Sequence, residues 1–238
     1  MKVGLFDSGI GGLTVLKQLI DKYPDNDYIY FGDTINMPYG SKNIDELKKL
    51  ARYNVEFLLK YNVDIIIIAC GTVSSNCLEY LKDNYDISII DIISPTINYL
   101  NNSKYNNIGI IATEATINSH IFKNRLINKN IYEISTPKLV PIIENNEYDN
   151  INNVLNDYIN KYKDKIDILV LGCTHYPLLS KYIKNIYNKD ILDMGSLIKI
   201  DNNGNGTINL YFSYIDNNLI NNIKNILGNK INIHEIEY

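Results

Sequence analysis

The sequence predicts an α/β protein of two similar open, mostly parallel domains related by pseudo-twofold symmetry, with an active site in the cleft between them. Three observations predict it: short apolar runs alternate with stretches of helical periodicity, the order of these elements repeats in the second half, and a cysteine follows a buried run once in each half. A chain of 238 residues, 45% of them hydrophobic, can bury one large core or two modest ones.

Residues 3–6, 28–31, 64–69 and 87–93 are apolar runs of the kind that form buried parallel strands. After the first, Leu13, Leu16, Leu19 and Tyr23 recur at helical spacing. After the second, Leu47, Leu50, Ala51, Leu58 and Tyr61 do the same, with Asp45 and Glu46 in the first turn, where the helix dipole favours acid. The second half reads strand 107–111, helix near 118–127, strand 131–135, helix near 154–162 and strand 166–171. The repetition reaches individual residues. Val63, Asp64 and Ile65 through Cys70, Gly71 and Thr72 line up with Ile166, Asp167 and Ile168 through Cys173, Thr174 and His175, and 4–9 matches 109–114 at nearly the same offset. The tail, 208–238, reads strand, helix ending at Gly228, and strand. It returns to complete the first domain, so the domains expected are 1–96 with 208–238, and 97–207.

Composition narrows the function. A net charge of −4, with Arg52 and Arg125 the only arginines, argues against nucleic acid, which needs clustered positive charge. No apolar run approaches the ~20 residues that span a bilayer, which argues against a membrane partner. The N-terminal MKVGLFDSG turns glycine-rich and acidic too soon for a secretory signal, which points to the cytoplasm. Three scattered cysteines suit a reducing compartment and free thiols. The expected partner is a small molecule.

In open α/β sheets ligands bind beyond the carboxyl ends of the strands. There stand Asp7, Ser8 and Gly9, then Pro38, Tyr39 and Gly40, then Cys70 and Thr72; the second half contributes Thr113, Thr116, Cys173, Thr174 and His175. Gly11 and Gly12 read as a tight strand-to-helix turn, since no P-loop lysine follows. Two thiols facing one cleft suit inversion of a stereocentre, in which one group removes a proton and another delivers one to the opposite face. Asp7 stands to assist Cys70, and His175 to assist Cys173; a helix N-terminus after each cysteine favours thiolate. No lysine occupies a strand end suited to a Schiff base, so no cofactor is expected. Cys77 reads as a core residue inside the helix after Ser75, and His120 and His234 as structural. Two other chemistries draw on the same residues: a zinc site of Cys70, Cys173, His175 and Asp7, giving a hydrolase, and a Cys70–Cys173 redox pair. Neither has the local CxxC spacing.

The segments FDSGIGGLTV (6–15), YFGDTINMPYGSK (30–42), ACGT (69–72), KLVPIIE (138–144) and LGCTHYPLL (171–179), in this order across most of the chain, resemble the motifs of the glutamate racemases. The resemblance implies cofactor-independent interconversion of L- and D-glutamate, with D-glutamate used in peptidoglycan, and a homodimer. It also implies roles. The cysteine matching Cys70 removes the proton from the D-enantiomer and that matching Cys173 from the L-enantiomer; Asp7, His175 and Glu144 match assisting groups. Ser8, Pro38, Tyr39, Gly40, Gly71, Thr72, Thr116 and Thr174 match substrate-contacting positions. Gly71 departs from the asparagine usual there, which keeps a related aspartate racemase as an alternative. The stretch 194–206 lacks the helix expected after residues 191–193, which leaves the dimer geometry open.

Overall fold

The computed structural model describes residues 1–228 and 231–236; the parts of the expected tail at 229–230 and 237–238 lie outside it. Hydrophobic runs too uniformly apolar to have a wet face become central strands. In the first sheet β1 (Lys2–Asp7) lies between β2 (Asp27–Gly32) and β3 (Ile65–Ile68), with β4 (Ser88–Asp91) beyond β3. In the second, β5 (Asn107–Ala112) lies between β6 (Asn130–Ser135) and β7 (Ile168–Leu171), with β8 (Asp190–Asp193) beyond β7. The tail strands β9 (Ile208–Phe212) and β10 (Asn232–Glu235) extend the first sheet past β2. Every pairing is parallel.

The two sheets repeat each other in register. Gly4 stands opposite Ile66 across β1 and β3, and Gly109 opposite Leu169 across β5 and β7. The Ala69 amide donates to the Phe6 carbonyl at 3.0 Å, and the Gly172 amide to the Ile111 carbonyl at 2.8 Å. One residue further on in each case the chain reaches a cysteine.

Helices cover the sheets and carry the chain back for the next parallel strand. In the first unit these are α1 (Gly12–Lys22), α2 (Ile44–Leu59), α3 (Gly71–Asn76), α4 (Leu78–Asn84) and α5 (Ile93–Asn101). The second unit has α6 (Glu114–Asn118), α7 (Ile121–Arg125), α8 (Leu139–Glu144), α9 (Ile151–Ile159) and α10 (Ser180–Ile186), and the tail has α11 (Asn217–Leu227). Asn43 caps α2 in a capping box with Glu46, so the acidic first turn is where the sequence places it. One apolar cluster runs from Leu13 and Leu16 of α1 through Ile108 and Leu169 of the second sheet, so the units share a core; another, with Phe6, Phe31, Val55 and Leu58, fills the space under α2. Among the described residues no helix is long and apolar enough to cross a membrane.

Two expectations need correction. The helix expected near 118–127 is two short helices, α6 and α7, because His120 between them takes the left-handed conformation (φ 52°) that breaks a helix. Cys77 is not inside a helix but at the joint between α3 and α4; it is buried, and burial pushes its thiol pKa up to about 12. His120 pairs with Glu133 at 2.9 Å and His234 stacks on Tyr211, as structural histidines do. After β8 there is only a 3-10 turn, Met194–Leu197, and the chain continues without a helix to β9.

Candidate active site

Cys70 and Cys173 each lie two residues past a central strand, β3 and β7, and are 4% and 6% exposed. All three cysteines are free thiols. Cys70 is the N-cap of α3, with extended backbone and its carbonyl accepting from the Ser74 amide. Burial, followed by the negative charge of Asp7, pushes its thiol pKa far up, against the backbone N–H groups of Val73 and Thr72; a charge on Cys173 pushes the same way. The two sulfurs thus share one electrostatic neighbourhood, and Cys70 is held as a thiol.

Cys173 has a different companion. His175 Nδ1 is 3.6 Å from its Sγ, and Nε2 is 2.6 Å from Oε1 of Glu144. Burial alone would favour the neutral imidazole, but hydrogen bonds and charges from Cys173 and Glu144 outweigh it and hold the pKa well above the usual histidine value. As an imidazolium, His175 donates to the sulfur on one side and to the carboxylate on the other. A solvated glutamate is the ordinary reading of an Asn-rich stretch, yet Glu144 ends α8 buried, where its Oε1 also accepts from the Ile10 amide at 3.2 Å.

Asp7, at the end of β1, is fully buried. Its Oδ1 accepts from the Gly9 amide at 2.9 Å and its Oδ2 from the Thr174 hydroxyl at 3.0 Å. Burial raises its pKa, while the His175 charge opposes the rise. Ser8 is buried beside it, its Oγ 3.5 Å from Asp7 Oδ1. Thr174 therefore ties the second unit to the acid of the first, and Thr14 donates to the Thr174 carbonyl at 2.8 Å.

Gly11 and Gly12 lie in the tight turn from β1 to α1, as expected, but what demands glycine at 11 is contact. Gly11 has ordinary right-handed backbone (φ −56°, ψ −44°), which any residue adopts. A Cβ there would overlap the His175 ring and the Thr174 hydroxyl, and one at Gly9 would overlap Glu144. At Gly71 a Cβ would come 2.7 Å from the Gly172 carbonyl oxygen, and at Gly40 2.8 Å from Thr113 Cβ. Each glycine lets one unit approach the other.

A narrow cleft, with about 70 Å³ of room inside its mouth, lies between the units. One wall is Pro38, Tyr39, Gly40 and Ser41, reached through a cis Met37–Pro38 bond; the other includes Thr113, Thr136, Val140, Cys173 and His175. The Tyr39 hydroxyl is not free for a ligand, because it donates to Asp33 at 2.5 Å and accepts from Asn54 at 3.1 Å. Cys70, Asp7, Ser8, Gly71, Thr72, Thr116, Thr174 and Glu144 do not line this cleft. Thr72 faces the second unit, its hydroxyl 2.9 Å from that of Thr113, which donates to Thr116 at 3.0 Å. Thr136 was missed from the sequence, although it directly follows β6 and the strand-end rule applies to it; its hydroxyl donates to the Ala112 carbonyl at 2.9 Å. Among the described residues no three His, Cys, Asp or Glu side chains are placed to hold a metal ion.

The chemistry available is proton transfer: one thiol held protonated by burial and a neighbouring carboxylate, and a second sulfur facing an imidazolium. Fold and site together are those of an α/β enzyme built from two matching units. Residues 13–197 match the family model described as Asp/Glu/Hydantoin racemase, and the chain belongs to that family, whose members are isomerases. A glutamate racemase from Hydrogenobaculum sp. (strain Y04AAS1) is 39% identical, covering 98% of this chain and 95% of that protein. Among solved structures, glutamate racemase from Aquifex pyrophilus superposes with a TM-score of 0.87 at 34% identity, covering 100% of this chain and 99% of that one. Glutamate racemase from Francisella tularensis subsp. tularensis SCHU S4, in complex with D-glutamate, superposes with a TM-score of 0.88 at 29% identity, covering 99% and 97%.

Proposed function

We propose that the chain interconverts L- and D-glutamate by two-base proton transfer, with Cys173 acting on the α-proton of the L-enantiomer and Cys70 on that of the D-enantiomer. The observation that carries the assignment is the pair of cysteines at equivalent strand ends, each with its own polar partner. In the L-to-D direction Cys173, acting as base with His175 Nδ1 3.6 Å from its sulfur, takes the α-proton. The electron pair left behind delocalises into the substrate carboxylate, and the Cys70 thiol delivers a proton to the opposite face. Turnover leaves Cys173 as thiol and Cys70 as thiolate, so a proton must return between cycles; in the D-to-L direction the sulfurs exchange roles. The thiols supply both acid and base, so the reaction needs no cofactor.

In this reading Pro38 packs against the substrate, the backbone N–H groups of Tyr39 and Gly40 face its carboxylates, and Ser8, Thr72, Thr116 and Thr174, which lie off the cleft wall, come within reach when the units part. Sheet membership supports a first domain that takes back the tail from 208 and a second built on β5 to β8; the boundary expected between 1–96 and 97–207 falls inside α5 and is better placed after Asn101. The enzyme works in the cytoplasm as a homodimer and supplies D-glutamate for peptidoglycan.

The test is incubation with L-glutamate in heavy water, following optical rotation and α-deuterium together. Loss of rotation with one deuterium gained per inversion is the expected result. Exchange with aspartate but none with glutamate would move the assignment to the aspartate enzyme. The enantiomers have equal free energy, so kcat/KM must be the same in both directions for wild type and every variant; only kcat and KM separately can differ.

A further inference from the structure

The geometry points to Asn218, in the tail, as a positioning residue for the Cys173 half of the site, acting through the backbone of Glu144. The inference rests on the racemase reading for its consequence in turnover, but not for its test.

Glu144 is the last residue of α8, and the final carbonyls of a helix have no partner within it. The amides that follow are used elsewhere: Asn145 donates to Pro141, Asn146 to Ile143 and Glu147 to Ile142. The Glu144 carbonyl accepts instead from Asn218 Nδ2 at 2.6 Å, across from the other unit. Asn218 Oδ1 in turn accepts from Asn146 Nδ2 at 2.5 Å. With both ends of its amide engaged, Asn218 has one orientation, since a flip would set oxygen against oxygen and nitrogen against nitrogen.

The residue is itself held firmly. Asp216 caps α11 by accepting from the Leu219 amide at 2.7 Å, and Leu219 and Ile223 are buried in the apolar cluster that contains Leu13 and Leu16 of α1. Helix α1 follows the loop whose Ile10 amide donates to the Glu144 side chain. The first unit therefore grips Glu144 at two points, side chain and carbonyl, and Glu144 fixes His175 against Cys173. Behind this contact lies a second cavity lined by Glu144, Asp216, Asn218 and Asn222, so without the Asn218 bond the end of α8 faces open space. The titratable groups facing Glu144 and His175 are Asp7, Cys173, Tyr30 and Tyr148, with Asp216 across the cavity.

The test reads the reactivity of Cys173 directly, by mass-spectrometric rates of iodoacetamide labelling against pH in the substrate-free protein. Loss of one hydrogen bond sets the scale: Asn218→Ala is expected to slow labelling of Cys173 about 3- to 10-fold at neutral pH, with Cys77 labelling unchanged. Asn218→Gln keeps a donor and is expected to recover most of the rate, which separates positioning from a general loss of fold. In a Glu144→Gln background, Asn218→Ala is expected to add less than about twofold, since both act through one group. A labelling curve for Asn218→Ala that superimposes on wild type would overturn the inference, as would a fully additive double variant. Labelling does not depend on turnover, so a wild type that fails to exchange glutamate's α-proton sinks the racemase reading without deciding this one.

Discussion

Gly11→Ala sets two physical arguments against each other, and their signs differ. The backbone at Gly11 is right-handed and lies at the start of α1, so alanine fits its dihedrals and restricts the unfolded chain. On that account alone the variant gains about 0.4–1 kcal/mol. The packing argues the reverse. The new methyl would overlap Nδ1 and Cε1 of His175 and the hydroxyl of Thr174. The ring cannot simply yield, because Nε2 is tied to Glu144 at 2.6 Å and the residue is 2% exposed. Overpacking of this kind costs about 1–3 kcal/mol. Packing wins, with a net loss of roughly 1–2 kcal/mol, or about 2–8 °C in Tm for a chain of this size. Displacing the imidazolium from Cys173 by a fraction of an ångström to 1 Å lowers kcat/KM about 10- to 100-fold, equally in both directions. Thermal unfolding and polarimetric racemisation of L-glutamate measure the two effects. A variant with a higher Tm and wild-type turnover would show that only the gain from restricting the unfolded chain operates at Gly11, and that the contact with His175 is not as described.

Cys70→Ser and Cys173→Ser are each expected to abolish racemisation, and either variant turning over at the wild-type rate would remove that residue from the mechanism. His175 binds its proton more tightly folded than unfolded, so its contribution to stability is complete below the unfolded pKa of about 6.5 and is lost as pH rises through the higher folded value. Urea unfolding of wild type and His175→Gln across pH measures this, and a stability difference that grows with pH would contradict it. Gly71→Ala places a methyl against the Gly172 carbonyl, a backbone atom that cannot swing aside, and is expected to destabilise by about 1–3 kcal/mol; calorimetry showing no loss would mean the units part more easily than their packing implies.

Much of this protein was legible in its residues. The apolar runs at 3–6, 65–68 and 168–171 are strands because burial on both faces leaves no polar alternation to read. The near-constant offset between the halves predicts two similar domains, whose sheets share a four-strand order, and the two cysteines stand out because both lie just beyond central strands. Local signals failed where the deciding contact is distant in sequence. Periodicity could not see that His120 interrupts a helix, nor that Cys77 falls at a joint.

By itself, then, the sequence determined the alternation of elements, the duplication and the chemical types at the strand ends, all of which depend on neighbours a few residues away. Only the tertiary structure decided that Glu144 is buried against His175, that Thr174 reaches Asp7, and that Gly11 and Gly71 are small because the opposite unit lies against them. These partners are far apart along the chain, and they meet only when both units are folded on their shared core.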